Sequence, residues 1–310
     1  MRAIMVLLLF AGSASASDSI KLEIPQEKGK LVAALDLPEG SGPFPVAIIH
    51  AGSGPTDKDG NSGKLLQSNC YKMLGQELAK QGIASVRIDK RGVGESREAL
   101  TVEQLKTFGV NGYEEDAVAW IRLLRKDKRF SKVYFIGHSE GSLIGARAVL
   151  KEKVDGFISL CGPGKTMGAT LREQLRPKLS EEMYKKAEVV IVSLEAGTET
   201  EDFPKELASL FYKGVQPYLI SEMNIKPDED FAKLTCPCLI ISGSRDIQVP
   251  EEHGLLLQKA NPKAKRVHIE KMAHVLKLVK NEELYMKPYT DPTLPLAEGL
   301  VSAIVNFIKG

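Results

Sequence analysis

Aromatic side chains make up only 6% of this 310-residue chain, there is a single tryptophan, and there are four cysteines. Neither sign of charge is in excess: 42 lysines and arginines stand against 40 aspartates and glutamates, a net charge of +2. Each shortage excludes something. With no basic tract and few rings to stack bases on, no nucleic-acid partner is expected. Every apolar run falls short of the ~20 residues that a membrane span needs, so no stable membrane insertion is expected either. Four cysteines at this length do not make a disulfide scaffold. Cys236 and Cys238 flank Pro237 at the mouth of a predicted strand, spaced C-x-C with no histidine close in sequence. They are expected, with Cys70 and Cys161, to be buried thiols rather than metal ligands. Nothing in the sequence sets an oligomeric state.

The first residues stand apart. Met1-Arg2, an apolar run from Ile4 to Ala11 and then Ala14-Ser15-Ala16 form the three zones of a secretory signal peptide. Residues 1–16 are therefore expected to be removed, leaving an exported protein, periplasmic or secreted, that begins at Ser17. No cysteine follows the apolar run, so a lipid anchor there has no support.

Hydrophobic residues make up 43% of the chain, enough for one large core or a core plus a small second unit. Short strand-like runs alternate with helical ones. Strands are expected at Ile20–Ile24, Leu31–Leu37, Phe44–Ile49, Ile83–Ile88, Lys132–Ile136, Asp155–Leu160, Pro237–Ile241 and Lys265–Ile269. Helical patterns follow around Leu65–Ala79, Tyr113–Leu124, Leu143–Leu150, Glu251–Ala260 and Leu296–Ile308. The alternation breaks between Lys165 and Lys233, where the pieces, around Leu171–Leu179, Glu181–Leu194, Phe203–Phe211 and Val215–Met223, read as mainly helical, Val189–Val192 included. An excursion of that length is too long for a plain loop. It is expected to be a helical cap (165–233) between two parts of one core (17–164 and 234–310), lying over the strand ends. Its apolar residues Leu171, Met183, Leu207, Phe211, Tyr212, Tyr218 and Leu219 are candidates for cap packing and for substrate contact.

Chemistry concentrates at the ends of the predicted strands. Gly137-His138-Ser139-Glu140-Gly141 sits between a strand and a helix, the context in which G-x-S-x-G turns a serine hydroxyl out of strained backbone. A serine needs a base, and the base a group to orient it. His274 follows the Lys265–Ile269 strand and is the candidate base. Asp246 follows the Pro237–Ile241 strand and is the candidate orienting acid, with Glu251 and Glu270 as alternatives nearby. The order Ser139, Asp246, His274 is one of the known orders of such triads. His138 is expected to point away from the turn, His253 lies in a predicted helix and His268 within a strand. The glycine-rich loop His50 to Asp57 is a candidate oxyanion loop, its donor the N–H of Gly52 or of Ser53, with the N–H of Glu140 as the second donor. Asp89 to Ser96 lacks a nucleotide-binding pattern and is expected to be a surface loop with solvated charges. For Glu140 a salt bridge is expected.

These pieces together resemble the α/β-hydrolase superfamily, and more narrowly the bacterial serine carboxylesterases with a small helical cap. The resemblance rests on HAGSGPTD at His50 to Asp57, DKRGVGES at Asp89 to Ser96, GHSEG at Gly137 to Gly141, VQPYLIS at Val215 to Ser221, SGSRDIQVP at Ser242 to Pro250 and MAHVLK at Met272 to Lys277. It covers essentially the whole mature chain. It implies an α/β fold with a mostly parallel eight-stranded sheet flanked by helices. It also implies a carboxylesterase acting on short-acyl small-molecule esters, with no metal or organic cofactor. By resemblance Ser139, Asp246 and His274 are the catalytic triad, and Ser53 with Glu140 is the favoured oxyanion pair. Ala51 and Ser142 depart from the glycines common in the family and bear on substrate fit. A peptidase or amidase on small substrates is the alternative reaction, and a catalytically silent binding module the alternative from another class.

Overall fold

A computed structural model of the protein describes residues 19–281 and 285–310. The expected signal peptide, residues 1–16, lies outside the described residues. Two strands open the fold, β1 (Ile20–Pro25) and β2 (Lys30–Asp36), joined as an antiparallel hairpin. Then come β3 (Phe44–His50), α1 (Cys70–Lys80), β4 (Ala84–Ile88), α2 (Val110–Lys126), β5 (Phe130–His138), α3 (Glu140–Lys151) and β6 (Gly156–Leu160). A helical stretch follows, with α4 (Met167–Leu175), α5 (Glu181–Glu195), α6 (Gln216–Met223) and α7 (Pro227–Ala232). The chain finishes with β7 (Cys238–Arg245), α8 (Glu251–Ala260), β8 (Lys265–Ala273) and α9 (Leu300–Lys309).

The eight strands form one sheet in the order β1-β2-β4-β3-β5-β6-β7-β8. Strand β2 pairs antiparallel with β1 and β4, and every other pair is parallel. This is the mostly parallel eight-stranded sheet expected from the sequence. The near-continuous apolar runs have their reason here, because both faces of the central strands are covered. Alternate residues face opposite sides. Val46, Ile48, Val133 and Phe135 pack with Trp120 and Ile121 of α2 and Ile144 of α3. Ala47, Ile49, Tyr134 and Ile136 pack with Leu74 and Leu78 of α1 and Leu300 and Ile304 of α9.

Between β6 and β7 the inserted helices bury their own apolar cluster, in which Leu171, Ile191, Leu194, Phe211 and Leu219 take part. Residues Val189 to Val192 are helical: Val190 and Ile191 face inward while Val189 and Val192 are exposed, as one-sided burial of a helix requires. Two expectations need correction. The helix predicted around Leu65 to Ala79 begins only at Cys70; before it, Asn61–Ser62 and Leu66–Gln67 pair as a small antiparallel ribbon. Asn69, left-handed at φ 51°, and the bond from Asn61 Nδ2 to its Oδ1 (2.7 Å) turn the chain before the helix can start. The segment from Phe203 to Phe211 is likewise only a 3-10 turn and one helical turn, Lys205–Leu207 and Ala208–Phe211.

One buried ion pair fastens the antiparallel edge to the parallel core. Arg87 of β4 binds Asp36 of β2 through Nε (2.6 Å) and Nη2 (3.2 Å), and also reaches Asp59. Both partners are almost wholly enclosed. Losing Asp36 would leave Arg87 with Asp59, whereas losing Arg87 leaves Asp36 an uncompensated buried charge. Arg87→Leu is therefore expected to lower the unfolding free energy in urea by about 3–5 kcal/mol. The Asp36→Leu/Arg87→Leu double variant should regain at least half of that loss.

Candidate active site

Strand β5 ends at His138, helix α3 starts at Glu140, and Ser139 alone makes the turn between them, at φ 55° and ψ −127°. A positive φ at a non-glycine residue is backbone strain that surrounding structure must hold. Here the Ser139 N–H donates to Leu160 O of β6 at 2.9 Å. A Cβ on Gly137 would lie 2.2 Å from the Gly141 carbonyl oxygen, so only glycine lets helix and strand meet this closely.

Asp246 follows the end of β7, and His274 stands directly after β8. The His274 Nδ1–H donates to Asp246 Oδ2 at 2.7 Å, and Asp246 Oδ1 accepts the N–H groups of Gln248 and Val249, each at 2.9 Å. Burial pushes the Asp246 carboxyl upward, but the His274 charge and hydrogen bond and the two N–H donors outweigh it and leave the pKa below the usual value. The alternative acids are engaged elsewhere, Glu251 by Arg266 (2.7 Å) and Glu270 by Ser244 (3.2 Å). In the neutral imidazole, a proton on Nδ1 toward Asp246 leaves the lone pair on Nε2 of His274. Ser139 and His274 line one cavity of about 440 Å³. The Ser139 hydroxyl has no hydrogen-bond partner among the described residues; contacts of this kind commonly tighten only around a bound substrate.

The loop after β3 passes against the serine, where a Cβ on Gly52 would lie 2.9 Å from Ser139 Cβ and 3.4 Å from its Oγ. Which N–H of this loop is free is decided by Tyr71 of α1. The Gly52 N–H donates to Tyr71 Oη at 3.3 Å, whereas the Ser53 N–H has no acceptor among the described residues. At the first turn of α3 the Glu140 N–H precedes any intrahelical partner. Ser53 and Glu140 thus offer two unengaged donors beside Ser139.

The same tyrosine begins a chain that the sequence did not suggest. His138, expected to point away, is buried next to His274, its ring 4.7 Å from the His274 ring. Its Nε2 lies 2.8 Å from the His274 carbonyl oxygen, which only accepts, so Nε2 carries the proton. Its Nδ1, 2.7 Å from Tyr71 Oη, then accepts the tyrosine proton, provided the ring is neutral. Burial first, and the nearby His274 second, pull the His138 pKa down to about 3, and the ring is neutral. Hydrogen bonds therefore run from the Gly52 N–H through Tyr71 and His138 to the His274 backbone. The candidate oxyanion loop and the loop of the candidate base are tied together.

The charges of Asp89 to Ser96 are not all solvated. Asp89 and Lys90 are buried. Asp89 gathers Lys58 Nζ (2.8 Å) and the N–H groups of Lys58 (2.8 Å) and Glu95 (3.0 Å), while Lys90 faces Glu140 at 3.5 Å. Glu140 also accepts from Tyr218 Oη of α6 at 3.0 Å. Of the cap residues named from the sequence, Leu171, Tyr218 and Leu219 line the cavity. Leu207 and Phe211 are buried in the cap cluster, and Tyr212 is exposed. The two departures from the family pattern are packed, Ala51 among apolar neighbours and Ser142 donating to Ser159 Oγ at 2.7 Å.

Metal-ligating atoms meet once among the described residues, at His138, Cys161 and His274, within 4.8 Å of one another. Both His138 nitrogens are already engaged, and burial with the Asp246 charge holds the Cys161 thiol well above its usual pKa. Ligation would need a deprotonated thiol and broken hydrogen bonds, so the donor set fits a hydrogen-bonded histidine pair and not a metal centre. All four cysteines are free.

Residues 61–204 match the family described as serine aminopeptidase, S33. Esterase EstD from Thermotoga maritima is 30% identical over 223 residues, 72% of this chain and 51% of that protein. The chain thus spans about half the length of the curated relative it matches. Est1E from Butyrivibrio proteoclasticus has the same architecture, with a TM-score of 0.58 at 18% identity over 94% of this chain and 99% of its own. A Pyrococcus furiosus esterase aligns with a TM-score of 0.57 at 17% identity, covering 97% of each chain. The chain has the α/β-hydrolase fold. Around this centre the sequence pointed neither to Tyr71 and Lys90, nor to the role of His138, nor to Glu222, which lines the same cavity.

Two buried neutral histidines give this protein a definite acid response. His50, its pKa lowered to about 3 chiefly by burial and then by Lys90, joins His138 at about 3, against 6.5 for an ordinary histidine. Below that ordinary value the unfolded chain takes up protons that the folded chain refuses, so stability is full above it and lost as pH falls toward the folded values. Two groups give a slope of about 2.7 kcal/mol per pH unit. The Glu222 carboxyl, pushed up by burial, has the opposite slope over this range, so the histidine share is read as a difference. In urea unfolding, His138→Gln should lose about 2 kcal/mol less than the wild type between pH 7.5 and 5.

Proposed function

We propose that this α/β-hydrolase is a carboxylesterase that cleaves short-acyl esters through an acyl-enzyme on Ser139. The observation that carries the reading is Ser139 at its positive-φ turn, in one cavity with a histidine whose Nδ1 is committed to Asp246. Ser139 Oγ attacks the ester carbonyl, and His274 Nε2 takes its proton. The oxygen that becomes negative is held by the N–H groups of Ser53 and Glu140. His274 then protonates the departing alcohol, and water admitted to the site releases the acid by the reverse sequence. Asp246 holds the imidazole in the right tautomer and stabilises its charged form. Support for small esters comes from the cavity, whose Leu143, Met167, Leu171, Val215 and Leu219 give apolar walls. The Thermotoga maritima and Pyrococcus furiosus relatives are named as esterases.

Hydrolysis of p-nitrophenyl esters from acetyl to dodecanoyl tests the reading. Activity should peak at short acyl groups and fall at least ~10³-fold in folded Ser139→Ala. Equal rates in the variant and the wild type would overturn it. Matched anilides run alongside address the peptidase or amidase alternative, for which anilide rates would approach those of the esters.

We also propose that the chain is exported after removal of residues 1–16, on the strength of the three-zone pattern at its start. N-terminal sequencing of the natively produced protein should begin at Ser17. Retention of Met1 would overturn export.

A further inference from the structure

Gly52 is held at both of its backbone polar groups. Its N–H goes to Tyr71 Oη, and its carbonyl oxygen accepts from the Nζ of Lys90, in the loop after β4. The Lys90 side chain is 1% exposed. Its other neighbours are Glu140 Oε2 and the ring of Tyr113, whose centroid is 5.3 Å from Nζ. The Gly52–Ser53 peptide is trans, and in a planar trans peptide C=O and N–H point in opposite directions. A cation gripping the Gly52 oxygen therefore sets the direction of the Ser53 N–H. Ser53 lines the cavity and Lys90 does not, so the N–H is on the side of Ser139. The same cation draws electron density toward the carbonyl oxygen and makes that N–H a stronger donor.

A buried ammonium this close to the reacting serine needs a fixed counter-charge. Glu140 supplies it, steadied by Tyr218 of α6, and Glu222 of the same helix lies against it. Glu222 Oε2 is buried without a hydrogen-bond partner, and burial together with the Glu140 charge holds this carboxyl protonated far above its usual range. Its proton is then available to Glu140. The cluster is one cation, one anion and one neutral acid, which closes the charge balance.

We propose that Lys90 is a positioning residue for the oxyanion hole: it fixes the Gly52 carbonyl and so aims and strengthens the Ser53 N–H, while Glu140, Tyr218 and Glu222 fix Lys90. This rests on the reading of Ser53 as an oxyanion donor in ester hydrolysis. Lys90 never touches substrate, so its loss acts on the transition state and spares ground-state binding.

Lys90→Met, close in shape and without charge, is expected to lower kcat on a p-nitrophenyl short-acyl ester about 10²-fold, the scale of a lost oxyanion donor. KM should stay within about threefold, because ground-state binding is untouched. A folded Lys90→Met with kcat within threefold of wild type would overturn the inference and leave the esterase reading standing. Absence of any Ser139-dependent turnover in the wild type would instead overturn the esterase reading, and this inference with it.

Should Lys90→Met fail to fold, the alkaline limb of kcat decides. Burial lowers the Lys90 pKa from 10.5, so the wild-type limb should fall below that pH as the cation is lost. Lys90→Arg, which keeps its charge, should lack the limb, and Glu222→Gln should retain it. The other groups facing Lys90, besides Glu140 and Glu222, are the phenols of Tyr113 and Tyr218, which burial pushes up and out of this window. A limb unchanged in Lys90→Arg, or lost in Glu222→Gln, or absent from the wild type, would overturn the inference.

Discussion

Three pieces of backbone meet at Ser139 with no room between them, and that close approach governs the rest of the centre. A Cβ on Gly141 would lie 2.5 Å from the His50 carbonyl oxygen and 2.6 Å from that of Ala51, and one on Gly52 would press on Ser139 itself. The loop after β3 can therefore lie directly on the first turn of α3, which brings the Ser53 and Glu140 N–H groups to one place. Positive φ at Ser139 is the strain this arrangement stores. The sheet holds it, because the Ser139 N–H is hydrogen-bonded to β6 and the turn is the direct continuation of β5.

Contact alone does not fix the direction of a peptide dipole, and here polar side chains do it. Tyr71 takes the Gly52 N–H, Lys90 takes the Gly52 carbonyl, and His50 Nδ1 contacts Ala51 O at 2.9 Å. Each of these groups is buried, and each would cost free energy if left without its partner. The satisfied network is thus rigid for the same reason that its members are enclosed. Neutral His138 is a necessary part of it. A protonated ring would have a donor at Nδ1, facing a tyrosine hydroxyl that already donates there, and the chain to the His274 backbone would break.

The sheet was legible in the sequence because burial on both faces writes an unbroken apolar run, as in Val46 to Ile49, and such runs fall at the central strands. Ser139, Asp246 and His274 were equally legible as positions, each standing in a short loop after such a run. What stayed hidden were partners chosen by distance in space alone. Tyr71 reads as one more apolar residue of a helix, and its hydroxyl meets a histidine 67 positions away. Lys90 and Asp89 lie among glycines and charges that in sequence resemble any solvated loop, but Asp89 is enclosed by Lys58 and its own loop, and Lys90 by Tyr113 and Glu140 from other elements. The choice between Gly52 and Ser53 was open for the same reason. It depends on where a tyrosine from another element places its oxygen.

The cap has a part in this that goes beyond covering a cavity. Helix α6 carries Tyr218 and Glu222 on one face, four residues apart, a spacing that puts both side chains on the same side of a helix. That face meets Glu140, the residue whose own N–H stands beside Ser139 and whose carboxylate neutralises Lys90. Separation of α6 from the core would leave Glu140 without its tyrosine donor and without the neutral acid beside it, and water would enter around Lys90. The electrostatic frame behind the two free N–H groups is therefore complete only while α6 is seated. Docking of the helix and alignment of the donors are linked by the same carboxylate.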